Sequence, residues 1–278
     1  MKHLFDEVSI KISKTVTKKY STSFSLGIRF LNIDFRNPIY SIYGFVRFAD
    51  EIVDSFHEFD KSTLLSEFKR DTYLSIERKI SLSPILNSFQ AVANKYNIEK
   101  ELIDSFLSSM EMDLNKKEYT VESYKKYILG SAEAVGLMCL RVFTENNNGL
   151  YNELKPFAMS LGSAFQKINF LRDLNADYVG MGRIYFPNIN IKELNQESKL
   201  DIENDIELDF EEGLIGIRKL PKKSRFGVYV AYIYYRALFN KIKKLQPQSI
   251  LEERIRIPNS QKIVLFAGSY LRNSFNLL

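Results

Sequence analysis

The sequence predicts an all-α protein, and three observations support this prediction. The 278 residues include 12 glycines and 7 prolines, which is a low number. These residues fall between long stretches in which apolar side chains recur at helical spacing. Alternation typical of β-strands is scarce, and we find no repeat, low-complexity block or linker. We therefore expect one domain over residues 1–278, built as a helical bundle.

The periodicity predicts about ten helices in the following order. They lie near residues 3–18, 38–56, 61–79, 84–96, 99–114, 121–145, 150–177, 199–217, 222–246 and 258–274. A proline is expected near the start of five of them, where a missing N–H costs nothing. These prolines are Pro38, Pro84, Pro156, Pro221 and Pro258.

Composition excludes several classes of protein. With 45% hydrophobic and 26% charged residues, the chain is not disordered. The net charge of +5 is spread without a basic run, so nucleic-acid binding is not expected. The single cysteine, Cys139, permits no disulfide framework within the chain, and we expect a buried structural thiol. No signal peptide or membrane span is apparent, which predicts a cytoplasmic protein.

Two pairs of aspartates spaced four residues apart carry the main chemical signal. Asp50 and Asp54 lie in FADEIVD, and Asp173 and Asp177 lie in NFLRDLNADYVG. Because positions four apart share one face of a helix, each pair directs two carboxylates at one place. Like charges at this spacing weaken a helix unless a cation lies between them. Oxygen ligands without histidine or cysteine favour Mg²⁺ shared with substrate phosphates.

The predicted helix around the first pair is apolar on nearly all sides. One stripe, within roughly 60° of arc, carries its polar residues. These residues are Tyr43, Arg47, Asp50 and Asp54. Among the flanking residues only Glu51 fits a solvated face. Since a helix that is apolar nearly all round is buried, we expect the aspartates to face an internal cavity.

The predicted helix around the second pair repeats this arrangement. Its polar stripe spans roughly 80° and consists of Gln166, Asn169, Asp173 and Asp177. Amide and carboxylate oxygens are suitable ligands for Mg²⁺ or its bound waters. Arg172 is suited to two-point contact with a phosphate, and a salt bridge to a nearby acid is the alternative.

The least helical stretch, residues 178–197, follows the second pair directly. Glycines and a proline break the helix there, at Gly180, Gly182 and Pro187. The same stretch contains Arg183, Tyr185 and Phe186. We expect a flap that excludes water from a site, with a plain surface loop as the alternative.

Four sequence runs together resemble the squalene and phytoene synthase family. They are YSTSFSLGIRFL, IYSIYGFVRFADEIVD, GSAEAVGLMCLRVF and QKINFLRDLNADYVGMGRIYFP. The similarity extends from about residue 15 to about residue 275, and the chain looks most like bacterial phytoene synthases of carotenoid pathways. Two departures stand out, since Glu51 replaces a third aspartate of many members and Tyr20 replaces a common histidine. The second departure leaves in doubt any proton-transfer role of that histidine.

The resemblance implies an isoprenoid-synthase bundle around an apolar cavity, with the two acidic motifs facing each other at its mouth. The implied metal ligands are Asp50, Asp54, Asn169, Asp173 and Asp177, supported by Gln166. The implied diphosphate contacts are Arg47, Arg172 and Lys262, although a solvated Lys262 is the alternative. Tyrosines near the diphosphates and cationic intermediates would be Tyr43, Tyr185 and Tyr234, and one substrate position would be lined by Ser21, Ser23 and Phe24.

The implied reaction joins two geranylgeranyl diphosphates head to head to phytoene, through a cyclopropylcarbinyl diphosphate and with release of pyrophosphate. The implied cofactor is Mg²⁺, with Mn²⁺ as a substitute, and no NADPH is expected because no hydride is needed. Squalene or dehydrosqualene formation from farnesyl diphosphate is the alternative. A non-catalytic helical lipid-binding or assembly protein is a further one. Because such a product is apolar, we expect peripheral contact with the inner membrane face, and the oligomeric state stays open.

Overall fold

Helices form nearly all of the regular structure in the computed structural model, which describes residues 1–115, 118–180, 182–187, 194–252, 254–258 and 265. Within these ranges the all-α prediction is confirmed, and one isolated β-bridge joins Glu118 to Ile184. The helices are α1 (Lys2–Tyr20), α2 (Thr22–Arg29), α3 (Ile33–Ser55), α4 (Lys61–Arg78), α5 (Pro84–Lys95), α6 (Lys100–Asn115), α7 (Val121–Ile128), α8 (Ala134–Phe143), α9 (Asn148–Asn175), α10 (Gln196–Lys219), α11 (Lys222–Lys243) and α12 (Pro247–Ile250). Two π-helical turns, Leu129–Glu133 and Ala176–Gly180, precede α8 and follow α9.

Two short helices, α2 and α12, were not predicted. Helix α2 begins one residue after α1 ends, because Ser21 has extended backbone and its Oγ accepts the main-chain N–H of Phe24 at 3.1 Å. Eight residues are too few for the helical period to separate them from the preceding helix. The predicted helix over 258–274 lies, apart from Pro258 and Leu265, outside the described residues.

Two of the five prolines were wrongly placed at helix starts. Pro38 lies inside α3 and Pro156 lies inside α9. The actual starts are capped by asparagines, since Asn32 accepts the N–H of Asp34 and Asn147 accepts that of Leu150, each at 3.0 Å. These helices extend past their prolines because α3 and α9 are buried against neighbouring helices. Pro84 begins α5 and Pro221 immediately precedes α11, as predicted.

The predicted helix over 121–145 is continuous in direction but contains the π-helical turn Leu129–Glu133. At this turn the chain passes very close to α6. A Cβ atom on Gly130 would lie 2.2 Å from the carbonyl oxygen of Ser105, so only glycine fits. The turn therefore lets α7 and α8 pack against α6 without a break in the chain.

Two hydrophobic clusters surround the long helices α3 and α9. In the first cluster Phe45 is fully buried and stacks on Phe89 with 3.8 Å between ring centroids. In the second, Phe210 and Phe239 are fully buried between α10 and α11. Burial of each such ring stabilises the fold by roughly 1.5–3 kcal/mol. Within the described part of the chain, no helix combines the length and apolarity that crossing a bilayer requires.

Candidate active site

A cavity of about 700 Å³ is lined by residues of both clusters, and we define its mouth as the acidic end, where the side chains of Asp50 and Asp54 are each 33% exposed. The predicted site residues within the described ranges all line it. They are Ser21, Ser23, Phe24, Tyr43, Arg47, Asp50, Asp54, Gln166, Asn169, Arg172, Asp173, Asp177, Tyr185 and Tyr234. Lys262 lies outside the described residues. Residues that are far apart in sequence thus share one chamber.

The wall of the cavity away from the aspartates is apolar. It is formed by side chains from α3, α6, α8 and α9, among them Ile42, Val46, Met110 and Leu140. Cys139 also lies in this wall, half-buried and packed against the first hydrophobic cluster, and its structural role stays a prediction. Burial raises the pKa of its thiol to about 12. The thiol therefore stays protonated and is a poor nucleophile at neutral pH.

The first acidic motif carries its own cation. Arg47 donates to Asp50 and to Glu51, which both lie one helical turn after it on α3. Its guanidinium lies over the Tyr20 ring, 4.4 Å from the ring centroid. Burial and then the charge of Asp54 raise the pKa of Asp50 to about 7. Glu51 thus serves as a second acceptor for Arg47.

Asp54, the second acid of this motif, is paired with a residue from the predicted flap. Nη1 of Arg183 donates to Oδ1 of Asp54 at 2.9 Å. Arg183, Tyr185 and Phe186 are all buried, so residues 182–187 are not the plain surface loop of the alternative prediction. Asp113 of α6 is a further buried acid that lines the cavity, and the sequence did not predict it. Asp113 is a single acid on an apolar helix face. Helical periodicity cannot distinguish such a residue from an ordinary acid that is buried in the core.

The second acidic motif lies at the end of α9. Asp173 accepts a hydrogen bond from Nε of Arg172 at 3.0 Å and forms an ion pair with Arg254, whose Nε lies 2.7 Å from Oδ1. Sequence reasoning missed Arg254, because it comes from an irregular segment after α12. Burial, followed by the charges of Asp173 and Asp54, raises the pKa of Asp177 to about 7. The two motifs therefore interact electrostatically across the mouth of the cavity.

Aromatic side chains join the polar end to the apolar wall. The hydroxyl of Tyr235 donates to Oδ1 of Asn169 at 3.2 Å, and its ring stacks on Phe165 at 3.9 Å between centroids. The ring of Phe24 lies 5.9 Å from that of Tyr235 and 6.0 Å from that of Tyr43. Tyr235 was missed, although its neighbour Tyr234 was predicted, because adjacent helical positions cannot be ranked without the packing.

The four motif aspartates suit a divalent cation that is shared with a ligand. Among the described residues, no three histidine, cysteine, aspartate or glutamate side chains form a closed metal-binding group. Burial first, and then the charge of a neighbouring aspartate, raises the pKa values of Asp50 and Asp177, so their charges are not fully compensated. Oxygen donors in such an open arrangement fit Mg²⁺ completed by phosphate oxygens and water.

Comparison with known proteins finds relatives of similar sequence and a solved structure of similar fold. A 15-cis-phytoene synthase from Synechocystis sp. is 26% identical over 96% of this chain and 86% of the relative. A 4,4'-diapophytoene synthase from Staphylococcus haemolyticus is 26% identical over 68% of this chain and 66% of the relative. A crystal structure of a dehydrosqualene synthase in complex with ligand superposes with a TM-score of 0.82, at 23% identity over 96% of this chain and 98% of that chain. The last likeness concerns the fold alone.

A family model extends this similarity to most of the sequence. The model described as squalene/phytoene synthase matches residues 17–261, which include both acidic motifs, α6 with Asp113, and Arg254. The expected isoprenoid-synthase bundle is confirmed by the solved structures of similar fold. The chain therefore belongs to the squalene/phytoene synthase family.

Proposed function

We propose that this protein condenses two geranylgeranyl diphosphates head to head to phytoene, in a Mg²⁺-dependent reaction that passes through a cyclopropylcarbinyl diphosphate and releases pyrophosphate. One observation carries the proposal. Two aspartate pairs from α3 and α9, with four arginines, meet at the mouth of an apolar cavity. Relatives named phytoene synthase that align along nearly the whole chain support this substrate and product.

The polar end is suited to hold a diphosphate. Asp50, Asp54, Asp173 and Asp177, with the amide oxygen of Asn169, would hold Mg²⁺. When bound, this cation neutralises the charge that grows on the departing diphosphate. Burial, and then a neighbouring aspartate, raises the pKa values of Asp50 and Asp177, and the bound cation would offset both effects.

The arginines at the mouth complete the diphosphate site. Arg47, Arg172, Arg183 and Arg254 each pair with a motif aspartate. Their planar guanidinium groups are suited to two-point contact with phosphate oxygens. Nε of Arg47 is buried and has no hydrogen-bond partner among the described residues, so a donor is already available for a ligand oxygen.

The apolar part of the cavity is suited to the prenyl chains and to the cations that form from them. The rings of Phe24, Tyr43, Phe165 and Tyr235 lie between the aspartates and the aliphatic wall. Aromatic faces attract cations, and a mostly apolar wall limits the access of water that would capture them. Burial raises the pKa of the Tyr43 hydroxyl, which therefore stays neutral beside a cation.

Formation of dehydrosqualene or squalene from farnesyl diphosphate is the second candidate function. A relative named 4,4'-diapophytoene synthase matches two thirds of the chain at the same identity as the phytoene synthase from Synechocystis sp.. The motif residues are equally compatible with both chain lengths, because they contact the diphosphate end and not the far end of the prenyl chain. The depth of the cavity decides between the two substrates.

The test is a set of incubations of the purified protein with C15 or C20 prenyl diphosphate, with Mg²⁺ or EDTA, and with or without NADPH. We expect pyrophosphate release and phytoene from the C20 substrate with Mg²⁺, unchanged by NADPH. A C30 product from the C15 substrate alone would replace the first candidate by the second. Absence of pyrophosphate release from both substrates would support a non-catalytic lipid-binding or assembly protein. The Asp50→Asn variant is the negative control.

We further expect the cavity mouth to face a membrane surface, because the product is insoluble in water. Three exposed aromatic residues, Phe48, Phe56 and Phe59, lie on or just after the same end of α3 as Asp54. Flotation with anionic liposomes should recover the wild-type protein, and Phe56→Ser with Phe59→Ser should reduce its recovery. If the wild-type protein does not float with any lipid composition, this membrane contact does not exist.

A further inference from the structure

Asp113 is a buried acid that belongs to neither acidic motif. It lies on α6, is 7% exposed, and accepts hydrogen bonds from three tyrosine hydroxyls. Tyr127 donates to Oδ2 at 2.6 Å, while Tyr119 and Tyr185 donate to Oδ1 at 3.1 and 3.3 Å. So many donors around one carboxylate fix its position and favour its charged form. Burial nevertheless raises the pKa of Asp113 to about 6, since the cost of removing the charge from water is large.

Arg183 connects Asp113 to both acidic motifs. Its Nη2 donates to the main-chain carbonyl of Asp113 at 2.9 Å, and its Nη1 lies 3.9 Å from Oδ1 of the same residue. The same Nη1 donates to Asp54 at 2.9 Å. The main-chain N–H of Arg183 donates to the carbonyl of Asp177, also at 2.9 Å. A single residue of the 182–187 segment thus contacts α3, α6 and the turn after α9.

The two carboxylates that share Arg183 differ in their exposure. The side chain of Asp54 is 33% exposed at the cavity mouth, whereas that of Asp113 is 3% exposed. A cation that enters the mouth therefore meets the exposed carboxylate of Asp54 before the nearly inaccessible carboxylate of Asp113. When Asp54 binds a cation from solution, it no longer neutralises Arg183. Asp113 then remains as the counter-charge, and without it Arg183 would be an unpaired buried cation.

We propose that Asp113 is a positioning residue, which anchors Arg183 at the mouth so that Asp54 can exchange the guanidinium for a divalent cation while Arg183 keeps its place. This role rests on the proposed function only in that the cation would arrive together with a diphosphate. Arg183 then stays oriented towards the incoming phosphate oxygens. The three tyrosines hold the anchor, and the 182–187 segment stays closed over the site because its arginine is held from the α6 side.

The first test compares Asp113→Asn with Asp104→Asn, a matched change on the same helix at a residue that pairs with Lys100 outside the cavity. Hydrogen exchange of the main-chain amides of residues 182–186 reports on the segment without any substrate. We expect exchange to rise about tenfold in Asp113→Asn, because opening of the segment becomes easier, and to stay unchanged in Asp104→Asn. Equal exchange in wild type and Asp113→Asn would overturn the proposal.

The second test is a double-mutant cycle that uses inorganic pyrophosphate with Mg²⁺ as the probe, measured by calorimetry. Asp113→Asn should weaken binding about tenfold in the wild-type background and have almost no effect in an Arg183→Gln background, because contacting residues act as a unit. Additive effects of the two changes would show that Asp113 does not act through Arg183. Asp104→Asn should bind pyrophosphate as wild type does.

These readouts separate this inference from the proposed function. One outcome is that the protein shows the expected interaction energy between Asp113 and Arg183 in pyrophosphate binding and yet condenses no prenyl diphosphates. That result would refute the proposed reaction and leave the role of Asp113 intact. If Asp113→Asn does not fold, Tyr119→Phe removes one hydroxyl from the carboxylate and undergoes the same two measurements. Its expected changes have the same direction and are smaller, and wild-type behaviour in both would overturn the proposal.

Discussion

Nε of Arg254 lies 2.7 Å from Oδ1 of Asp173, although the two residues come from an irregular segment and from the end of α9. The same oxygen accepts from Nε of Arg172 at 3.0 Å. The segment reaches this position because its own main chain is tied to α9, where the N–H of Ile255 donates to the carbonyl of Arg172 at 3.4 Å. One carboxylate thus holds two guanidinium groups at the cavity mouth.

Replacement of Arg254 should weaken substrate binding more than it slows turnover. Arg254→Gln removes one of the positive charges at the mouth but leaves Arg172 beside Asp173. We expect KM for the prenyl diphosphate to rise about tenfold, as for the loss of one charge-assisted contact. Arg256→Gln, an exposed position in the same segment, is the matched control and should behave as wild type. An unchanged KM in Arg254→Gln would remove this residue from the diphosphate site.

Removal of one motif carboxylate should abolish most turnover and leave the fold intact. Asp50→Asn and Asp173→Asn keep the side-chain volume but remove an anionic ligand, so kcat/KM should fall about 100- to 1000-fold. Steady-state pyrophosphate release measures the loss, and far-ultraviolet circular dichroism checks the helices. Near-normal activity in either variant would refute the metal-binding role of the aspartate concerned.

The metal-free protein should show a pH dependence that comes from the crowded carboxylates. The pKa of Asp177 is about 7 in the folded protein, against an ordinary value of 3.8. Between these two pH values Asp177 is therefore protonated in the folded protein and ionised in the unfolded chain. Folding therefore takes up a proton in this window, and the contribution of Asp177 to stability falls as pH rises from about 4 to about 7.

Asp177→Asn isolates this contribution because it never ionises. Urea titration in EDTA measures the free energy of unfolding of the variant minus that of wild type. This difference should be larger at pH 8 than at pH 5, because only wild type loses this contribution to stability as the pH rises. Added Mg²⁺ should stabilise wild type at pH 8 more than it stabilises the variant. A relative stability that is the same at both pH values would show that Asp177 has an ordinary pKa in the folded protein.

The contact between α9 and α10 depends on Gly216. A Cβ atom at this position would lie 2.3 Å from Cβ of Phe157, which forces the two helices apart. Gly216→Ala should lower the free energy of unfolding by about 1–3 kcal/mol. Gly149→Ala at the start of α9 is the control, because its Cβ would meet only Oδ1 of Asn147 at 3.5 Å. Replacement of a helical glycine in open space by alanine stabilises a protein. The free energy of unfolding should therefore rise in Gly149→Ala and fall in Gly216→Ala.

Most of the helices could be predicted because helical periodicity is a local property. Helices α4, α5 and α6 begin and end within a few residues of their predicted positions. Pro38 and Pro156 misled the prediction, since a proline near an apolar stretch signals a helix start only when no better cap lies upstream. Asn32 and Asn147 are such caps, and the burial of the flanking turns outweighs the lost N–H bonds.

The sequence by itself determined the two acidic stripes, because residues four apart share a helix face whatever the rest of the chain does. Only the tertiary structure decided what surrounds them. Asp113, Arg183 and Arg254 reach the cavity from α6 and from two irregular segments, and no local period relates these positions. Their contacts arise from the packing of distant segments, and the burial of Asp113 and Arg183 makes each of these two charges depend on the partner that the fold brings to it.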